Sequence, residues 1–302
     1  MRNINPKIYL IDSIIVFLKF ILWVQIVAPI ICACIGCLYL LISTESIDHF
    51  GMFYKNHMLP FQCFLTFVVI LGVFAKKYYQ HLRLRTKSRE KSSLRVIFML
   101  FLISVSFSFI DSFIDDVINL TNINAASFNI LDHSVLGVIS TCLLGPLAEE
   151  LTFRGTIERY LLKWKKNPLV AIFLSALLFG IMHINPSQVE SAFVFGILLG
   201  WVYYKSGSII PSLILHVLNN FYCFILDIYG YGSSSVQDFC NEVHTPLPIV
   251  MILSIVLLSI SLFAIYRKRL GITVFQPRLK VCTFARTNYY EYGKQRQVQE
   301  SP

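Results

Sequence analysis

Along the chain, long apolar runs alternate with short polar or basic interruptions. Runs of spanning length fall at about 12–42, 58–75, 96–118, 134–162, 168–184, 189–204, 208–228 and 247–266. An α-helix crosses the hydrocarbon core of a bilayer with ~20 apolar residues, within a range of roughly 17–25. The pattern therefore predicts an all-α, polytopic integral membrane bundle of about eight transmembrane helices. The first run exceeds what one span needs and contains Pro29, which predicts a kink or a re-entrant stretch there. Neither internal repeats nor low-complexity stretches interrupt the series.

The interruptions carry orientation. Nearly every lysine and arginine falls in 1–11, in 76–95, in the turn at Lys163, Lys165 and Lys166, at Lys205, or in the tail beginning at Arg267. The alternate pieces, near 43–57, 119–133, 185–188 and 229–246, hold only Lys55. By the positive-inside rule both termini are expected in the cytoplasm. Composition strengthens the membrane reading: 56% of residues are hydrophobic and 14% charged, and the mean hydropathy is +0.65, which excludes an ordinary soluble domain. The net charge of +9 lies in loops and tail rather than along a groove, so nucleic acid is excluded as a partner. The lipid bilayer is the partner that composition names, and nothing in the sequence sets an oligomeric state.

Most of the eight cysteines lie within apolar runs, where Cys behaves as a small hydrophobe. Cys32, Cys34 and Cys37 would point in different directions on a helix, with no His or acidic partner near, so no zinc site is expected there. No disulfide framework is implied. The N-terminus lacks a small-residue cleavage site after a short apolar core, so a removable signal peptide is not expected. The organisation that follows is 1–133 for the first three helices with the basic loop 76–95, 134–228 for a core, and 229–302 for the last helix and a basic tail.

Against this apolar background the polar residues inside the spans become informative. Each ionisable side chain opposes insertion by roughly 2.5–3.5 kcal/mol. From Val96 to Phe153 there is no lysine or arginine, yet Glu149 and Glu150 stand side by side in that run and Arg154 follows. Two further sets are His183 with Phe179, and His216 with Asn220. Glu150 and Arg154 are i and i+4, so they share a face and can neutralise each other. Glu149 is rotated by about 100° and lacks that partner. His216 and Asn220 also lie one turn apart. Counted inward from Lys163, Pro168 and Lys205 at ~1.5 Å per residue, the three sets sit roughly 16–22 Å deep, in one slab of the bilayer.

A glutamate taken out of water suits a general base acting on water. A histidine opposite it can hold that water or shuttle its proton. A second histidine with an Asn amide can donate to the oxyanion of an attacked carbonyl. No Ser or Cys stands beside them as a nucleophile. The set suits a water-activating hydrolase, with or without a metal. Taken singly, the residues also suit a proton site in a transporter, a helix cap, or hydrogen-bond glue between helices. Phe179 reads as packing, and Asp111, Asp115 and Asp116, near the outer end of the third run, as solvated charges.

The stretches EELTFR (149–154), FGIMH (179–183) and HVLNN (216–220) match, in order, the EExxxR, FxxxH and HxxxN signatures. With them the chain resembles the CPBP family of intramembrane proteases, the CAAX prenyl endopeptidase and bacteriocin-processing (Abi) proteins, over about 134–228. The resemblance implies that Glu149 activates water and that Glu150, paired with Arg154, supports the site. It implies that His183 positions the same water and that His216 with Asn220 binds the oxyanion. The family is described both as metalloproteases and as glutamate-dependent hydrolases. Glu149, His183 and His216 are of ordinary zinc-ligand type, and those two roles compete for the same groups. The implied substrates are membrane-associated peptides or proteins, either prenylated C-terminal tails or leader-bearing peptides. Compact motif spacing and short loops point to a bacterial cytoplasmic membrane. Two alternatives stay open: a proton-coupled transporter using Glu149 and Glu150, and an inactive relative acting as an immunity or binding protein. No HExxH, GxSG or paired intramembrane aspartate pattern is present.

Overall fold

In lipid a spanning segment must satisfy every backbone N–H and C=O internally, and a helix does so within one segment. The computed structural model describes residues 6–43, 61–62, 64–69, 72, 94–118, 135–165, 167–183, 185–230 and 235–267. Among these residues the regular elements are all helical. Helix α1 (Lys7–Ile21) runs through a π-helical turn, Leu22–Val27, into α2 (Ala28–Ser43). The wide turn lies just before Pro29, whose ring and missing N–H an unbroken α-helical ladder does not accommodate. The kink expected at Pro29 thus takes the form of a π turn within one span-length helix, Lys7–Ile42.

Helix α3 is Leu94–Ile118. The segment that carries the paired glutamates is built in pieces: α4 (Val135–Ile139), a π turn (Ser140–Leu144), α5 (Gly145–Thr152), a second π turn (Phe153–Glu158) and α6 (Arg159–Trp164). Helix α7 (Pro168–Ile181) starts with Pro168 in its first turn and the Asn167 side chain accepting from the Leu169 amide at 3.0 Å. Helix α8 (Pro186–Ser206) stops at Gly207, whose φ of 64° is the left-handed conformation of a helix C-terminus. Helix α9 (Ile209–Ile228) is capped by Ser208, α10 (Val236–Glu242) by a Ser235/Asp238 capping box, and α11 (Leu247–Arg267) closes the described chain.

Among the described residues, four helices are long and apolar enough to cross a membrane: Lys7–Ile42, Leu94–Ile118, Ile209–Ile228 and Leu247–Tyr266. Helix α7 is apolar but has only 14 residues. Half of the expected span at 58–75 lies outside the described residues, and 76–93 of the basic loop, 119–133 and the tail from 268 lie wholly outside them. Outward-facing positions such as Leu38, Leu41, Leu169, Ile252 and Phe263 are exposed and apolar, the surface an integral membrane protein presents to lipid. Lysines near helix ends stack on aromatic rings: Lys163 lies over Tyr9 and Tyr160, and Lys205 over Trp201, Tyr204 and Tyr266. Such pairs suit the lipid–water boundary. Cys32 is buried while Cys34 and Cys37 are exposed, so the three do not converge.

Among the described residues three apolar clusters form, a small one around Val236, Cys240 and Val250 and two larger ones that hold the bundle. One joins Phe17 and Phe20 of α1 to Phe153, Ile157, Leu161 and Phe179. The other joins Leu100, Ile103 and Phe107 of α3 to Phe195 and Leu199 of α8, Leu215 of α9 and Ile265 of α11. The segment α5 with its following π turn packs on α1 and also on α7, α8 and α9. It is therefore enclosed, and its charged side chains point into protein. Where α7 meets α8, a methyl on Gly180 would come 2.7 Å from the Val189 carbonyl oxygen, so only glycine permits that approach.

Candidate active site

Glu150 and Arg154 are fully buried. Arg154 donates from Nη1 to Glu150 Oε1 at 2.8 Å and from Nη2 to the Gly196 carbonyl oxygen at 3.0 Å. Its guanidinium lies over the Phe179 ring, 4.6 Å from the centroid. The Gly196 contact depends on a close approach, because a Cβ there would sit 3.1 Å from Ala176 and 3.2 Å from the Phe179 ring. A buried charge that lost its partner would destabilise the fold, and here each charge has one.

His216, on α9, is 4% exposed and stands between the two glutamates. Its Nδ1 is 3.2 Å from Glu150 Oε1, and its Nε2 is 3.6 Å from Glu149 Oε2. An ionised carboxylate only accepts, so Nδ1–H donates to Glu150. Attraction on the other side then requires a single proton between Nε2 and Glu149, carried by either group. The ring is set by edge-to-face contacts with Phe179 (5.9 Å) and Phe195 (5.5 Å). The two glutamates consequently differ. Glu150 is held by Arg154 and His216, whereas Glu149 has a side chain 21% exposed and His216 as its ion-pair partner.

His183 lies just past the end of α7, half-buried. A carbonyl oxygen only accepts, so its Nδ1–H donates to Phe179 O at 2.9 Å and Nε2 keeps a lone pair. Its ring meets Phe179 edge-on at 5.0 Å. Among the described residues no hydrogen bond or ion pair joins His183 to Glu149 or His216. Their link is the shared Phe179 ring, expected from sequence to be packing; it is that, and it also touches Arg154 and both imidazoles. Asn220, one turn beyond His216, donates from Nδ2 to the Thr141 carbonyl oxygen at 3.0 Å, in the π turn ahead of α5. One amide proton remains for another acceptor.

Glu149, Glu150, Arg154 and His216 are thus in direct contact, and His183 and Asn220 flank them through Phe179 and Thr141. Among the described residues no group of three or more His, Cys, Asp or Glu side chains is placed to hold a metal ion. As arranged, Glu149, His183 and His216 do not fit a metal as a ligand set.

Three features escape sequence reasoning. Asp111 and Asp115 were expected to be solvated at the end of α3, with Asp116. Asp116 is exposed, but Ser191 Oγ donates to Asp111 Oδ2 at 2.6 Å and Ser187 Oγ to Asp115 Oδ1 at 2.9 Å. The two serines, four apart on α8, form a polar seam with α3. Asn219 accepts from Ser104 Oγ of α3 at 3.3 Å, next to the Asn220 of the motif. Glu158 is fully buried in the second π turn, and its spacing of four from Arg154 and eight from Glu150 is the signal that could have found it.

Residues 131–222 match the profile of the Rce1-like family, described as type II CAAX prenyl endopeptidase Rce1-like. No curated protein and no solved structure matches the chain. The matched segment contains the paired glutamates, Arg154, His183, His216 and Asn220. Over residues 131–222 this all-helical membrane chain is therefore similar to the type II CAAX prenyl endopeptidase Rce1-like proteins, a likeness that supports a place in the CPBP family.

Proposed function

We propose that the chain is an intramembrane endopeptidase in which Glu149 activates a water molecule to cleave a peptide bond of a membrane-associated substrate. The observation that supports this most is the setting of His216 between a locked glutamate and a freer one, 3.2 Å from Glu150 and 3.6 Å from Glu149. Glu150 and Arg154 hold the imidazole, and Glu149 is left to exchange a proton.

In this reading the shared proton rests on His216 Nε2, and the Glu149 carboxylate takes a proton from water as the water oxygen attacks the peptide carbonyl carbon. The lone pair on His183 Nε2 orients that water. The oxyanion receives the unspent N–H of Asn220, and the proton shared by Glu149 and His216 adds positive charge on the same side. The C–N bond then breaks, and Glu149 returns its proton to the leaving amine. A carboxylic acid and an amine result, the acid then passing its proton to the amine, and the site regains its starting protonation. The apolar helices around it exclude bulk water, which strengthens each of these interactions. The substrate classes we favour are prenylated C-terminal tails and leader-bearing peptides, and the location a bacterial cytoplasmic membrane.

The test is cleavage of quenched peptides by the full chain in nanodiscs, one set ending in a prenylated cysteine motif and one carrying a leader. Wild type is expected to cleave one set, and Glu149→Gln to lose about 10²–10⁴-fold of the rate with its unfolding midpoint retained. A parallel chelator arm reports whether a metal takes part. Failure of wild type on both sets, together with proton flux in liposomes that Glu149→Gln abolishes, would replace this reading with a transporter.

A further inference from the structure

Glu158 has no part in the chemistry above, yet it is an unusual side chain. It is fully buried, and neither of its carboxyl oxygens has a hydrogen-bond partner among the described residues. Arg154 Nε is a buried donor in the same condition. Leaving a buried polar group unmatched destabilises by about 1–3 kcal/mol, so an isolated carboxyl at this position would be selected against on stability alone.

Its surroundings are shaped to receive it. Arg154 and Glu158 both face α8, where two glycines stand four residues apart. Gly196 offers its carbonyl oxygen to Arg154 Nη2 at 3.0 Å. One turn along, Gly200 leaves the room that Glu158 occupies: a Cβ there would lie 2.7 Å from Glu158 Oε2 and 3.4 Å from Cδ. Glu158 interacts electrostatically with Arg154 and with Glu150. The guanidinium thus has one edge committed to Glu150 and Gly196, and an uncommitted Nε in the field of a second carboxyl.

We infer that Glu158 is a positioning residue for the site: its carboxyl supplies acceptors to the free edge of Arg154 through one bridging water, and so fixes the guanidinium that holds Glu150 and, through Glu150, His216. The inference rests on the reading of Glu149 and His216 as the reacting pair. With Glu158 in place the guanidinium cannot rotate without losing acceptors on both edges. Without it, Arg154 can turn about its Nη2 contact, and the Glu150 oxygen that faces His216 Nδ1 turns with it.

Glu158→Leu and Glu158→Gln in the full chain, reconstituted in nanodiscs, test this. Leucine removes the acceptors at similar volume, and glutamine keeps one carbonyl acceptor. Two readouts go beyond folding: the split between kcat and KM on the peptide that wild type cleaves, and the 15N resonances of the His216 ring in histidine-labelled protein, assigned with His216→Gln. Glu158→Leu is expected to lower kcat about tenfold, as a small misplacement of reacting groups does, with KM unchanged. The His216 Nδ1 resonance moves, and Glu158→Gln restores most of both. If Glu158→Leu keeps wild-type kcat with an unmoved Nδ1 resonance, the inference is overturned. It is equally overturned if both variants merely lose folded protein while the folded fraction keeps wild-type kcat. If wild type cleaves no peptide but the Nδ1 resonance still moves in Glu158→Leu, the positioning role stands and the proteolytic reading falls.

Discussion

Replacing Arg154 with methionine probes the element on which the site is built. The side chain is fully buried and makes three contacts: Nη1 to Glu150 Oε1 at 2.8 Å, Nη2 to Gly196 O at 3.0 Å, and the face of Phe179 at 4.6 Å. Methionine keeps much of the volume, so the cavity contribution is small. What remains is a carboxylate at Glu150 with its cation gone. Removing one partner of a buried pair destabilises by about 3–5 kcal/mol, chiefly because the other charge stays behind in a medium that cannot solvate it. Removing both charges, in Glu150→Gln/Arg154→Met, should therefore destabilise by less than the two single changes added together, with a coupling of about 2 kcal/mol. Glutamine still offers His216 Nδ1 a carbonyl acceptor, so the imidazole stays satisfied in the double variant. Equilibrium unfolding in mixed micelles, followed by far-ultraviolet circular dichroism, measures all four proteins. An Arg154→Met variant within about 1 kcal/mol of wild type, or single effects that simply add, would refute the buried-pair reasoning.

Other substitutions test separate parts of the arrangement. Gly180→Ala places a methyl 2.7 Å from the Val189 carbonyl oxygen and 3.0 Å from Phe193 Cβ, so α7 and α8 must part. A loss of about 1–3 kcal/mol in unfolding free energy is expected, with kcat falling because Phe179 and His183 ride on α7. Asn220→Ala removes the amide that bridges toward Thr141 and should lower kcat by about 10²–10³ with KM little changed. Asn220→Asp should not rescue it, since a carboxylate cannot donate to the Thr141 carbonyl; steady-state kinetics on one peptide decides both. Ser191→Ala leaves Asp111 without its 2.6 Å donor and should destabilise the α3–α8 seam by about 1 kcal/mol, read as a lower unfolding midpoint with unchanged kcat.

Sequence and structure meet where the physics is local. Apolar runs must become helices in lipid, so 12–42, 96–118, 208–228 and 247–266 were legible, and each coincides with a span-length helix. The relation of Glu150 to Arg154 was legible from helical spacing alone. Contacts between helices were not. Nothing in HVLNN says that His216 reaches both glutamates, because that depends on how α9 packs against α5. The Asn220 contact depends on the π turn at Ser140–Leu144, and such turns leave no periodic trace in an apolar run. Asp111 and Asp115 looked like solvated helix-end charges because the serines that meet them come from a helix more than 70 residues away. Glu158 was overlooked for the opposite reason. Its spacing from Arg154 was in plain view, but with no sight of Gly196 and Gly200 nothing in the sequence set it apart.

The central claim is that glutamates from one helix grip opposite nitrogens of one imidazole from another, inside the membrane. The 15N resonances of the His216 ring in wild type, Glu149→Gln and Glu150→Gln measure that directly. The account predicts that Glu150→Gln moves chiefly the Nδ1 signal and Glu149→Gln chiefly the Nε2 signal, each in otherwise folded protein. A His216 ring whose two nitrogens are indifferent to both substitutions would contradict it.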